Sequence, residues 1–226
     1  MTATPPRAAG RSALDGVEGQ DVNLTIVENG SPLDAHYRCT SEPSYRIDIF
    51  SGGHHVFCEG LDTQGPWLWP SADAAAHDAV PDARRTAIEG IEFNLYGLHR
   101  FPERGHQLEL LDRETVDGVN YFVVRVIMKD AYETFLYIDP SNWMIGRRRD
   151  FRAFHPDIDA TRRFTEKRYE DYRPVSGVMT SFREQQIDLV KKAVVNETMV
   201  HSLHYMSEFA PGELSRNAVR PDLLQH

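Results

Sequence analysis

No apolar run in this chain approaches the ~18 residues that a membrane-crossing helix needs, so the sequence predicts no integral membrane segment. An excess of positive charge is missing too. Against 34 Asp and Glu there are 25 Lys and Arg, a formal charge of −9. That balance excludes a general nucleic-acid binder, because neutralising phosphates takes a basic surface. It also disfavours unaided docking on anionic headgroups. Cysteine is scarce: Cys39 and Cys58 are the two present, compatible with a disulfide between neighbouring strands or with two free buried thiols. The usual catalytic signatures are absent, with no G-x-S-x-G elbow, H-E-x-x-H, P-loop or dinucleotide fingerprint. There is no internal repeat, heptad array or low-complexity tract. The opening residues Met1 to Arg7 lack an apolar core and are not a secretory leader, which by itself reads as cytoplasmic.

What is present is an ordinary soluble composition, 41% hydrophobic and 26% charged over 226 residues, enough to bury one core. The expected layout is a flexible arm at 1–20, a single domain at 21–210 and a tail at 211–226. One helical turn is expected within the arm at Ser12–Val17.

From Gln107 to Leu189 hydrophobic alternation and turn signals recur at regular intervals. Asp117-Gly118 separates Gln107–Thr115 from Val119–Met128, a strong hairpin signal. Lys129-Asp130 leads into Tyr132–Ile138, and Asp139-Pro140-Ser141-Asn142 is a turn by composition. Strands follow at Met144–Phe154, Phe164–Tyr172 and, after Pro174 to Gly177, Met179–Leu189. Upstream, Val22–Glu28 ends at an Asn29-Gly30 turn, then come Ala35–Cys39, Tyr45–Phe50, His54–Cys58 and the aromatic segment Trp67–Pro70. Lys192–Tyr205 reads as a last strand. Between Asp73 and His99 the period changes: Ala83, Ala87, Ile91 and Leu95, with Ile88 beside them, recur at helical spacing, and Pro81 suits a first turn. The fold class read from this is mainly β (α+β): a curved antiparallel half-barrel meander with a helical segment covering its concave face.

Three stretches resemble a known family. Glu114-Thr-Val-Asp-Gly-Val-Asn-Tyr-Phe-Val-Val-Arg-Val is similar to its glycine-turn-then-strand element. Phe135-Leu-Tyr-Ile-Asp-Pro-Ser-Asn-Trp-Met-Ile is similar to the hairpin that follows. Arg168-Tyr-Glu-Asp-Tyr-Arg-Pro-Val-Ser-Gly-Val resembles a later strand-turn element. The elements they resemble are those of the periplasmic lipoprotein-carrier superfamily, the LolA/LolB-like outer-membrane lipoprotein-sorting proteins. The likeness runs best over Glu114–Asp188 and brings no catalytic motif. It implies an incomplete antiparallel barrel covered by helices, a cavity for acyl chains and a periplasmic location once a leader is removed. The missing leader and the modest apolarity of the later strands depart from the pattern.

Alternation gives the interior face. On Val119–Met128 the set Phe122, Val124, Val126 and Met128 avoids Arg125, and on the next strand Leu136 and Ile138 avoid Glu133. The later strands are mixed on both faces, so half of the sheet reads as oily and half as wet. Trp67, Trp69, Phe93, Tyr96 and Phe101 are read as one aromatic cluster on the short strand and the helix, more often core than pocket, and as the lid of any cavity. Arg147 and Arg149, in the densest basic patch with Arg148, Arg152, Arg162 and Arg163, form either a solvated face paired with Asp150, Asp157, Asp159 and Glu166 or an anion-binding wall.

His54-His55 with Cys58 and Glu59 offers metal-ligand types. Adjacent strand residues point to opposite faces, however, so no metal site is assigned. His201 and His204 converge only on a helix, and their segment reads as a strand. No pairing of His36, His55 or His99 with Glu59 or Glu92 stands out as an acid–base pair, and Cys58 would need a lowered pKa to act as a nucleophile. The favoured reading is therefore a carrier, without cofactor, whose partner is a hydrophobic small molecule or lipid. The alternatives are an enzyme using the same cavity on a small aromatic or polyketide-like substrate, and a module that binds a partner protein.

Overall fold

The computed structural model describes residues 13, 15–28, 30–70, 75–154, 156, 158–206 and 208–218. The expected turns at Ser12–Val17 and Asn29-Gly30, the start of the helical region at Asp73, and Asp157 all involve residues outside this set. So do most of the expected arm and residues 219–226 of the tail.

The described residues hold fourteen strands: β1 Gly19–Glu28, β2 Ser31–Thr40, β3 Ser44–Ser51, β4 His54–Asp62, β5 Gly65–Trp69, β6 His77–Asp78, β7 Gln107–Leu110, β8 Glu114–Val116, β9 Val119–Ile127, β10 Glu133–Ile138, β11 Ile145–Arg152, β12 Arg163–Val175, β13 Val178–Asp188 and β14 Ala193–Met206. Their order is β6-β5-β4-β3-β2-β1-β14-β13-β12-β11-β10-β9-β7, with β8 on β9, so the path is linear and has two ends. The fold class is the expected one, an open antiparallel meander of the half-barrel type, whose one substantial helix among the described residues is α1 (Pro81–Leu95). No described helix is long and apolar enough to cross a membrane.

Contacts divide the chain into two compact units. In the one holding Gly97–Phe154 and Thr161–Glu197, turns come where the sequence puts them. Asp117 and Gly118 both take positive φ (48° and 81°), as do Ser176 and Gly177 (48° and 84°), the geometry of a two-residue hairpin turn that matches strand twist. Asp139 closes its turn by accepting the Ser141 N–H at 2.8 Å. One expected strand is corrected: Gln107–Thr115 is two strands. Leu110 pairs Val124 and Glu114 pairs Tyr121, so three residues, Leu111 to Arg113, oppose two on β9. That extra residue is a bulge, and it breaks the ladder.

In the unit holding Leu14–Tyr96 and Thr198–His226, β1 to β5 are sequential hairpins. The helix starts at Pro81, which has no N–H to orphan, carries Asp82 in its first turn and ends before Tyr96. Gly90 lies mid-helix; it costs about 1 kcal/mol against Ala but does not divide the helix. The stripe Ala87, Ile91 and Leu95 packs with Cys39, Tyr45 and Leu61. Residues 211–218 are held to this unit: Arg216 Nε donates to Asp62 Oδ2 at 3.0 Å and Leu214 is buried.

Candidate ligand-binding faces

Register fixes which side chains share a face. In the first unit, Leu108 of β7 stands opposite Val126, Val126 opposite Thr134, Thr134 opposite Asp150, Asp150 opposite Thr165, and Thr165 opposite Asp188. The next row on that face is Leu110, Val124, Leu136, Arg148, Lys167 and Gln186. Phe122 and Ile138 pair beyond it. Phe122, Val124, Val126, Leu136 and Ile138 thus lie together, running from oily strands (β7, β9, β10) to wet ones (β11 to β13). Val126 and Leu136 are fully buried, while Leu110 is 68% exposed and Trp143, stacked on Phe122 at 5.5 Å, is 43% exposed.

Arg147 and Arg149 are on the opposite face. Arg147 Nη1 donates to Glu166 Oε1 (2.6 Å) and Nη2 to Asp117 Oδ2 (2.6 Å). Arg149 Nε donates to Glu166 Oε2 (2.9 Å) and Nη1 to Glu114 Oε1 (2.8 Å). Arg168 Nε also reaches Glu166 Oε1 (2.8 Å). Burial opposes ionisation of Glu166, but hydrogen bonds from Arg168 and Arg149 outweigh it and hold the carboxyl below its ordinary range. Three guanidiniums against Glu166, Glu114 and Asp117 leave this patch balanced. Beside it Tyr121, Val123 and Tyr137 form a buried cluster against Val116 and Val119 of the β8–β9 hairpin. Burial, then the bond it donates to Glu114, pushes the Tyr137 phenol up to about 12. A recess of about 230 Å³ opens between Arg147, Arg168, Tyr121, Tyr172 and Asn142.

In the second unit the aromatic cluster read from sequence comes apart. Trp67 and Trp69 pack with Cys58, in rows formed by Arg38, Arg46, Gly60 and Trp67 and by His36, Asp48, Cys58 and Trp69. The helix packs on the other face, that of Cys39, Tyr45 and Leu61. Two-residue alternation along β5 makes this unavoidable: a strand that turns Leu68 to the helix turns both tryptophans away. Tyr96 packs on the helix-side core, Phe93 is half-buried on the helix, and Phe101 belongs to the first unit, where its ring meets His106 at 5.1 Å.

Beneath the tryptophans lies a buried polar knot that sequence reasoning missed. Asp48 accepts from Arg46 Nε and Nη2 (both 2.7 Å) and Arg38 Nη2 (2.6 Å), and its Oδ1 meets His55 Nε2 at 3.0 Å. Burial works against the charge, but His55 and Arg46, then Arg38, hold the Asp48 carboxyl far below its ordinary range. Asp48, His55 and Cys58 bring ligand atoms within 4.8 Å of one another. The set does not fit a cation: both carboxylate oxygens are occupied, two guanidiniums adjoin, and burial, with the Asp48 charge, pushes the Cys58 thiol well up. The available signal was the β3–β4 hairpin register, which sets Asp48 across from Cys58.

His54 is exposed while His55 is buried, as alternation requires. Cys39 and Cys58 are free and buried, one on β2 and the other on β4 with β3 between, a gap of two strand spacings that a disulfide cannot span. His36 pairs with Asp21 at 3.0 Å, and Glu59 accepts from Tyr45 at 2.8 Å. His201 and His204 lie on β14, not on a helix. A cleft of about 650 Å³ lies among Thr40 to Glu42, Asp62, Phe209 and Glu213.

No protein-family model matches the chain, and no curated protein sequence does either. Solved structures do. A LolA superfamily protein from Nitrosomonas europaea superposes with a TM-score of 0.58 at 12% identity, over 92% of this chain and 98% of that one. An outer membrane lipoprotein-sorting protein domain from Vibrio parahaemolyticus gives 0.55 at 10% identity, over 92% and 95%. A DUF1329 family protein from Desulfovibrio piger gives 0.53 at 12%, over 98% and 100%. The chain has a LolA-like fold.

Proposed function

We propose that the protein is a carrier that holds a hydrophobic or amphipathic, lipid-like ligand against the apolar face of β7, β9 and β10. One observation carries this reading: register gathers Phe122, Val124, Val126, Leu136 and Ile138 onto a single face, and Leu108 and Leu110 extend it to a sheet edge where Leu110 stands 68% exposed. Large apolar side chains exposed in continuity with a core mark a ligand or partner surface. The LolA-like fold supports the same reading, since one structure of this fold is named for an outer membrane lipoprotein-sorting protein domain, although fold by itself does not fix function. The arginine patch faces the other way and is balanced by its carboxylates, so the apolar face is the binding element. Trp67 and Trp69 serve the reading as core beneath which Arg46 and Asp48 are packed. A periplasmic location goes with it.

The test is native mass spectrometry of gently purified protein with a competition assay using a fluorescent fatty-acid probe. A bound mass that disappears on denaturation, or displacement of the probe by acyl compounds, supports the carrier. A clean apo mass together with no probe binding rejects it.

A further inference from the structure

The row that begins at Leu108 and Val126 ends on two carboxylates that each keep one oxygen without a hydrogen bond, although Arg163 Nη1 lies 3.6 Å from that of Asp188. Asp150 and Asp188 are 5% and 1% exposed, and Asp150 Oδ1 and Asp188 Oδ2 accept no hydrogen bond. Their other oxygens are employed: Asp150 Oδ2 takes the Arg148 Nε–H at 3.1 Å, and Asp188 Oδ1 takes the N–H groups of Val190 and Lys191 at 2.9 Å. A buried acceptor left unpaired is costly, and most such groups in folded proteins are satisfied. These two share a face with the apolar set, and Asp150 stands two strand spacings, roughly 10 Å, from Val126. That is the reach from an acyl chain lying on β9 to its head.

We infer that the ligand of this face carries an uncharged, hydrogen-bond-donating head, a hydroxyl such as that of a monoacylglycerol, whose O–H is accepted by Asp150 Oδ1. The inference rests on the carrier reading and adds the headgroup to it. Two observations select a neutral donor. The orphan atom of Asp150 is an acceptor, so a carboxylate or phosphate head placed on it would set oxygen against oxygen. On this face Arg148 is held by Asp150, Lys167 by Glu184 at 2.8 Å and Arg163 by Asp188 at 3.6 Å, and Arg152 stands across from Arg163 on the same face. Four cations against the three carboxylates Asp150, Asp188 and Glu184 repel a cationic head, which leaves an uncharged donor.

The experiment measures displacement of the fluorescent fatty-acid probe from the full chain by three compounds of one chain length: 1-monododecanoylglycerol (donor head), methyl dodecanoate (acceptor head) and dodecanoate (anionic head). The monoacylglycerol is expected to bind at least tenfold tighter than the other two. In Asp150→Asn, whose amide can keep an oxygen for Arg148 while turning N–H toward the orphan position, that preference should fall to about twofold or less. Should Asp150→Asn fail to fold, the wild-type ratio decides alone. Equal affinity for all three, or preference for dodecanoate, overturns the headgroup inference and leaves the carrier intact, with the orphan oxygens then serving ordered water. Failure of all three, and of the probe, removes the carrier reading and this inference with it.

Discussion

Gly60 stands directly across β4–β5 from Trp67, and a Cβ placed on it would come within 2.5 Å of the indole and 2.6 Å of the Tyr45 carbonyl oxygen. No side chain tolerates such contacts, and here one neighbour is backbone and the other a fully buried ring. Gly60→Ala should therefore lower stability by about 2–3 kcal/mol through overpacking. Thermal denaturation with Trp fluorescence checks this. An unchanged midpoint would mean that the indole moves aside freely.

Asp48 receives two guanidiniums and an imidazole in a site from which water is excluded. Removing one member of a buried charge network costs about 3–5 kcal/mol, because the others are left uncompensated. Asp48→Asn is expected to lose that much. The pH dependence follows from the depressed carboxyl. Its folded pKa lies below the unfolded value of about 3.9, so its contribution is complete above that value and is lost as the pH falls toward the folded pKa. Wild-type stability should drop on acidification below about pH 4, and Asp48→Asn should show a shallower acid limb in urea titrations.

The architecture was legible because its signals are local. Asp117-Gly118 and Ser176-Gly177 announce their turns, and Ala87, Ile91 and Leu95 announce the helix that forms. That Phe122, Val124, Val126, Leu136 and Ile138 share one face was readable from alternation, since Arg125 and Glu133 mark the other, and the register places the set together. What alternation does not convey is which elements meet. The aromatic segment and the helix are close in sequence, yet β5 turns its tryptophans away from α1. The Asp48 knot went unread for a related reason: Arg38, Arg46, Asp48 and His55 come from three strands, and hairpin register, not composition, brings them together. The bulge at Leu111–Arg113 leaves no mark in composition.

The two thiols should be inert in the folded protein. Both are fully buried. Burial above all pushes the Cys39 thiol up to about 12, and the Cys58 thiol rises further under burial and the nearby Asp48 charge. Thiolate is the reactive form, so a thiol-specific reagent at pH 8 should label neither residue under native conditions and both in denaturant. Rapid native labelling of one thiol would mean that its strand opens locally. A loss of both signals in denaturant without reductant would mean that the cysteines had oxidised.

Glu166 is the point on which the arginine face turns, for it is 1% exposed and its two oxygens accept from Arg147, Arg149 and Arg168. Glu166→Gln keeps the shape but strips out the charge shared by three cations. The nearby carboxylates Glu114 and Asp117 are exposed, and in that setting they compensate weakly. A loss of about 3 kcal/mol is expected, partly recovered when Arg168, the outermost of the three, is also replaced by Met. A double-mutant cycle in urea measures the coupling. Because this face is distinct from the apolar one, probe affinity at a temperature where both variants are folded should stay within about twofold of wild type. A large fall in affinity would instead make the arginine face part of the ligand site.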